Sequence, residues 1–184
     1  MKKLKKVLLI LVLFVGLFIF AGCEKDPAKD FKNPKEITVK GDKGNAIVTY
    51  DDDGSYEEDE SGNEKILKSS DNGFRLSLEF QTLTVSDAKT RESNFKKDSN
   101  YTVISDVEYR GSKGFVIVNN KYADAQVYLY LDEENDVVFL VKVGPMRTNE
   151  VLDEIAKGKK PEDILYKNET VQQILKTVKY EKNK

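Results

Sequence analysis

Ala125-Gln126-Val127-Tyr128-Leu129-Tyr130-Leu131, then Asp132-Glu133-Glu134-Asn135-Asp136, then Val137-Val138-Phe139-Leu140-Val141-Lys142-Val143, is the stretch that decides the fold class. Two runs rich in valine, leucine and aromatic residues flank five polar ones, the pattern of a β-hairpin. Each run is apolar at more than alternate positions. A strand with one face in water would alternate, so these two are expected at the centre of a sheet covered on both faces.

Outward from this hairpin, strand character recurs at Tyr101-Thr102-Val103-Ile104 and at Gly114 to Val118. Arg75 to Phe80 places Leu76, Leu78 and Phe80 on one face. Nearer the N-terminus, Ile37 and Val39, then Ala46, Val48 and Tyr50, alternate with polar residues across the glycine-bearing turn Lys40 to Gly44, which predicts an N-terminal hairpin. Turns at Asp52-Asp53-Gly54 and Ser61-Gly62-Asn63 precede a strand at Ile66, making four strands up to Phe80. Their short connections require antiparallel pairing.

The period changes twice. Val85, Ala88, Glu92 and Phe95 have helical spacing, with Ser86-Asp87 at the start and Lys96-Lys97 at the end. After Gly144-Pro145 the chain reads as helical to its end: Val151, Leu152, Ile155 and Ala156 share a face, Gly158 caps it, and Pro161 opens a short second helix. Asn168 is an N-cap for a last helix whose stripe is Val171, Ile174, Leu175 and Val178. The fold class is α+β, an antiparallel sheet packed with helices and preceded by a β-hairpin.

The chain has 184 residues, no histidine, no tryptophan and one cysteine. Histidine-based triads, imidazole metal sites and intrachain disulfides are excluded. Residues 1–22 carry four lysines followed by the apolar run Val7 to Ala21, the layout of a secretory leader. Fifteen helical residues at ~1.5 Å each reach ~22 Å, short of a ~30 Å hydrocarbon core. Removing the leader's four lysines from 30 basic residues leaves 26 against 32 acids, so the remainder has a net charge of −6. Residues 23–35 contain Pro27 and Pro34 and mostly charge, and read as a flexible tether; residues 36–184 read as one domain.

Phe20-Ala21-Gly22-Cys23 resembles the lipobox of bacterial lipoproteins, with phenylalanine where an aliphatic residue is usual. The resemblance implies cleavage between Gly22 and Cys23 and a diacylglyceryl group on the Cys23 sulfur, with N-acylation of the new terminus in some lineages. Two acyl chains suffice for stable anchoring. The expected location is the outer side of the cell membrane.

Asn72-Gly73-Phe74 opening a strand, the middle helix, the tyrosine-bearing strand Val127 to Leu131, and the terminal segment Gln173 to Tyr180 together resemble the PsbP-like α/β/α sandwich over residues 64–180. Small clostridial lipoproteins carry similar C-terminal helices; the tryptophan that often follows the opening strand in such relatives is absent. The resemblance implies a binding or assembly module whose partner is an envelope protein or a small ligand, and no catalytic residue.

The chemistry-bearing candidates are few. Seven carboxylates lie between Asp51 and Glu60. Aligning Gly54 with the glycine of an EF-hand loop puts Asp51, Asp53 and Glu60 at ligand positions 3, 5 and 12, but Thr49 falls at position 1. Calcium is therefore the one cofactor considered, against a solvated hairpin as the simpler account. Tyr128 and Tyr130 share a strand face and form, with Tyr122, an aromatic group able to line a ligand groove; buried core rings are the alternative. Gly111-Ser112-Lys113-Gly114 reads as a turn between strands. The basic end Lys176, Lys179, Lys182 and Lys184 could touch anionic lipid or wall polymer, or be a solvated helix end. The negative charge and outside location argue against nucleic acid. Two other readings stay open: an envelope hydrolase using paired carboxylates, with Asp51, Asp53 or the Asp132 turn as candidates, and a prophage-encoded exclusion lipoprotein.

Overall fold

The computed structural model describes residues 26–183; the expected leader and the expected cleavage and lipid-attachment residues, Gly22 and Cys23, lie outside the described residues. In chain order the strands are β1 (Pro34–Lys40), β2 (Gly44–Asp51), β3 (Tyr56–Ser61), β4 (Glu64–Ser69) and β5 (Phe74–Gln81). Helix α1 (Val85–Phe95) then precedes β6 (Tyr101–Tyr109), β7 (Ser112–Asn119), β8 (Ala125–Asp132) and β9 (Val137–Pro145). Helices α2 (Thr148–Ala156), α3 (Pro161–Ile164) and α4 (Glu169–Leu175) follow, and β10 (Lys179–Lys182) closes the described chain.

The β8–β9 hairpin sits inside a seven-stranded antiparallel sheet of order β3-β4-β5-β9-β8-β7-β6. Two meanders, β3 to β5 and β6 to β9, are joined by one long-range ladder running from Phe74 opposite Pro145 to Gln81 opposite Val138. The expectation of central strands covered on both faces holds residue by residue. On β8, Val127 and Leu129 enter one core while Tyr128 and Tyr130 enter the other. On β9, Phe139, Val141 and Val143 face the first and Val138 and Leu140 the second. Each buried side chain of this size is worth ~1.5–3 kcal/mol relative to exposure. Such a run cannot alternate, because neither face is polar.

The second, smaller core is closed by α1 through Val85 and Ala88. The larger core lies under a three-stranded sheet of order β1-β2-β10 and helices α2 to α4, with Ile37, Val39, Ala46, Val48, Val171, Ile174 and Leu175 buried there. The layers are thus helix, sheet, and a mixed layer of helices and hairpin. Thr84, rather than Ser86, caps α1: its hydroxyl accepts from the Asp87 amide and Asp87 accepts from the Thr84 amide, a capping box.

Four expectations need correction. The last helix does not run to Tyr180. It ends at Leu175, and Lys179–Lys182 pairs with β2 from Ile47 to Gly44. Buried Thr177 accounts for the stop: its hydroxyl accepts from the Thr49 amide at 2.8 Å and lies 2.9 Å from the Thr49 carbonyl, drawing the chain onto β2. Val178 is buried as its place in the apolar stripe implied, but from outside the helix. The basic end is consequently strand rather than helix, with Lys182 paired to Asp132 and Lys179 to Glu181.

The acidic segment contains a fifth strand of this first half, β3, missed because Tyr56 to Ser61 has no apolar alternation. It is an exposed edge, and its charges answer lysines of β4: Glu60 with Lys65 and Asp59 with Lys68. Ordered structure also starts before Glu36, inside the segment expected to be tether. Within residues 26–35, Pro27–Asp30 forms a 3-10 turn capped by Asp26, and Pro34 opens β1, an edge position where the missing N–H costs no ladder bond. Finally, Arg110 and Gly111, both at positive φ, make the two-residue β6–β7 turn, so Ser112, Lys113 and Gly114 belong to β7.

Candidate functional site

A groove of about 480 Å3 runs between α1 and the β6 edge, lined by Lys89, Glu92, Asp106, Glu108, Lys113, Gly114, Tyr130 and Glu133. Its shape comes from a β-bulge. The β6–β7 register slips by one between Ile104 and Val107, and Asp106 takes φ 56°, a left-handed conformation tolerated mainly by Asp, Asn and Gly. Ile104 and Val107, three residues apart, both pack toward the larger core. A regular strand would send them to opposite faces; the bulge sends Ser105 and Asp106 toward α1's side instead.

Ser105 donates its hydroxyl proton to Glu92 Oε1 at 2.6 Å, and Lys96 reaches the same oxygen at 2.9 Å. Burial raises the Glu92 pKa, but the Ser105 hydrogen bond and Lys96 outweigh it, and the carboxyl is held below its ordinary value. Lys89 pairs with Glu133 at 3.3 Å and stands 5.3 Å over the Tyr130 ring. Burial, followed by Glu92 and Glu133, pushes the Tyr130 phenol up to about 12.

The two tyrosines anticipated as groove residues part company. Tyr130 lines the groove; Tyr128 lies beneath α1, stacked on Phe115 at 4.7 Å, its hydroxyl accepting from Arg91 and donating to Gln126 at 2.8 Å each. Tyr122 is exposed in the β7–β8 connection and is not in their cluster, since proximity in sequence did not carry across the loop. The ring that completes the cluster is Phe115 of β7.

Asp51 and Asp53 share a small cavity of about 170 Å3 with Phe31, Tyr56, Asn72 and Thr170. Their oxygens fold the turn: Asp51 accepts from the Asn33 amide and Asp53 from the Ser55 amide. Glu60 is not brought to them. An EF-hand loop curls about its ion, whereas four residues of extended β3, at ~3.4 Å each, carry Glu60 ~14 Å beyond Tyr56. Among the described residues no three potential ligands gather in a metal-binding arrangement. Asp132 is likewise committed, to Asn135 and to Lys182, and these hold its carboxyl below the ordinary range.

Reading the sequence alone missed Glu92, Ser105, Asp106 and Glu133 as a group, because they come from a helix, a bulge and a loop. One signal was present: apolar Ile104 and Val107 at a spacing of three inside a strand. A second cleft, about 390 Å3, lies between the β1–β2 turn and the β5 and β9 ends, lined among others by Gly41, Lys43, Phe80 and Asp136. No family model, no curated protein and no solved structure matches this chain.

Proposed function

We propose that this chain is a lipid-anchored, non-enzymatic binding module of the cell envelope, held by acyl chains on Cys23 and using the α1–β6 groove to engage a ligand. The anchor rests on the Phe20-Ala21-Gly22-Cys23 motif after a basic, apolar leader. The relation to PsbP-like modules rests on layer order alone: α1 on one face of the sheet, α2 to α4 on the other.

The observation that carries the binding reading is the state of Glu92. Carboxylate hydrolysis needs one acid kept protonated beside one kept ionised. Glu92 is instead held ionised by Ser105 and Lys96, as a counter-charge rather than a proton donor. Asp51 and Asp53, which line one small cavity, and Asp132, in the β8–β9 turn, are each spent on turn hydrogen bonds.

Palmitate labelling with and without globomycin tests the anchor: the native chain should incorporate label and the Cys23→Ala variant should not. A Cys23→Ala chain that still incorporates label would refute it. For the groove, fragment binding followed by amide chemical shifts should map to α1, the β6 bulge and Tyr130.

A further inference from the structure

Asp26, the first described residue, lies 3.7 Å from the Arg110 guanidinium in the β6–β7 turn. Cys23 precedes Asp26 by three residues, and three residues of chain span at most ~11 Å. An acyl group on Cys23 therefore fixes which end of the domain meets the bilayer: the end that carries Arg110.

A buried pair decides what else lies there. The hydroxyls of Tyr109, one residue before Arg110, and Tyr166, one residue before Lys167, are 2.8 Å apart, and both rings are buried. Helix α3 packs on β7, and α2 on α3. Lys167 reaches Asp163 at 2.8 Å, and Lys160 and Lys159 are close enough to help hold that carboxyl below its ordinary range. The α2–α3 loop, Lys157-Gly158-Lys159-Lys160, is thus brought to the same end as the chain's exit toward Cys23.

This loop has three positive charges and no acid, in a chain whose net charge beyond residue 22 is −6. Lys157 and Lys159 share one carboxylate, Glu154, at 3.1 and 3.6 Å. Lys160, like Lys29 and Lys32 beside the exit, is exposed and pairs with no acid among the described residues. Solvent-accessible ion pairs contribute little and exchange readily, so these lysines are open to other anions. Lipid phosphates held within about a Debye length, ~8–10 Å, would attract them. The C-terminal lysines are placed differently, Lys182 being paired with Asp132 and Lys179 with Glu181.

We propose that the domain rests on anionic lipid headgroups through the α2–α3 loop and Lys167, beside the Arg110 turn from which the chain passes to Cys23. This rests on the reading of Cys23 as the anchor, and adds a second, electrostatic contact that fixes the orientation of the domain.

The test uses the full chain purified from membranes and placed in bicelles that contain a gadolinium-chelating lipid and are either rich in phosphatidylglycerol or otherwise purely phosphatidylcholine. Amide relaxation enhancement at Lys157 to Lys160 and at Lys167 should be about threefold or more greater in the anionic bicelles. Asp26 to Lys29, close to the anchor, should be enhanced in both. Replacing the loop lysines together, Lys157→Gln, Lys159→Gln and Lys160→Gln, should abolish the difference at the loop, and the corresponding arginine replacements should retain it. Unchanged amide shifts in β8 and β9 verify that both variants fold. Equal loop enhancement in the two lipids, or the strongest enhancement at Lys176 to Lys182 or in β3, overturns the proposal and leaves the anchor standing. An intact mass that lacks the diacylglyceryl group removes the anchor, and the proposal with it.

Discussion

Ser105 on the β6 bulge donates to Glu92 on α1 across 2.6 Å, and this one bond ties the irregular edge of the large sheet to the helix that covers it. Together with Lys96, the bond holds the Glu92 carboxyl below its ordinary range at the wall of the groove.

Ser105→Ala should therefore raise the Glu92 pKa toward the ordinary glutamate value of 4.5 and cost about 1 kcal/mol at neutral pH, the usual range for a single hydrogen bond. Because the folded-state value is the depressed one, the stabilisation is complete above the unfolded value and is lost as pH falls through the folded one. Carboxyl-detected NMR titration of the wild type and the variant, with urea melts at pH 7 and pH 3, checks both; equal Glu92 titration in the two proteins would refute the assignment.

Thr177→Val removes the hydroxyl that serves Thr49 and leaves a buried amide unsatisfied. The expected cost is ~1–3 kcal/mol. Hydrogen exchange should show loss of protection across Lys179–Lys182 before any loss in β8 or β9, whereas Thr177→Ser should behave like the wild type.

Two glycine substitutions should differ in kind. A Cβ on Gly114 would lie 1.8 Å from the Tyr128 carbonyl oxygen, so Gly114→Ala must push β7 and β8 apart and should cost at least ~3 kcal/mol. Gly54 has open space but φ +88°, so Gly54→Ala meets only backbone strain, ~1–2 kcal/mol. Thermal melts of the two variants, compared with the wild type, separate steric from conformational cost.

Alkaline pH should unfold the protein through its tyrosines. Burial, the largest cause in each case, raises Tyr56 and Tyr130 to about 12 and Tyr50 and Tyr109 further, Tyr50 also through Glu58 and Tyr109 through Tyr166. A raised folded-state value stabilises fully below the unfolded value of 10.0 and loses that contribution as pH climbs through the folded one. Absorbance at 295 nm should show these four rings un-ionised at pH 11 and then ionising together with loss of near-ultraviolet dichroism. A smooth titration of all nine tyrosines near pH 10 would contradict the packing.

Local patterns carried much of the architecture. The twin apolar runs at 125–131 and 137–143 announced central strands because burial on both faces removes the need for alternation. Gly158, Pro161 and Asn168 marked helix ends because each acts through its own backbone or the next turn. What local patterns could not carry was any element whose stability lies in a distant partner. β3 is a strand because β4 offers lysines to its acids, and β10 is a strand because Thr177 finds Thr49, 128 residues away in the chain.

By itself the sequence determined the class, α+β with antiparallel pairing, and the starts of α3 and α4 at Pro161 and Asn168, and it carries the Phe20-Ala21-Gly22-Cys23 motif on which the proposed anchor rests. Only the tertiary structure decided the β5–β9 ladder that joins the two meanders and the bulge that turns Ser105 and Asp106 toward α1. It also decided the separation of Tyr130, at a groove, from Tyr128, beneath a helix. The physical reason is range. Propensity and capping act within a turn or two, whereas a groove is formed by side chains whose proximity comes from strand order and register, both set when the two cores close.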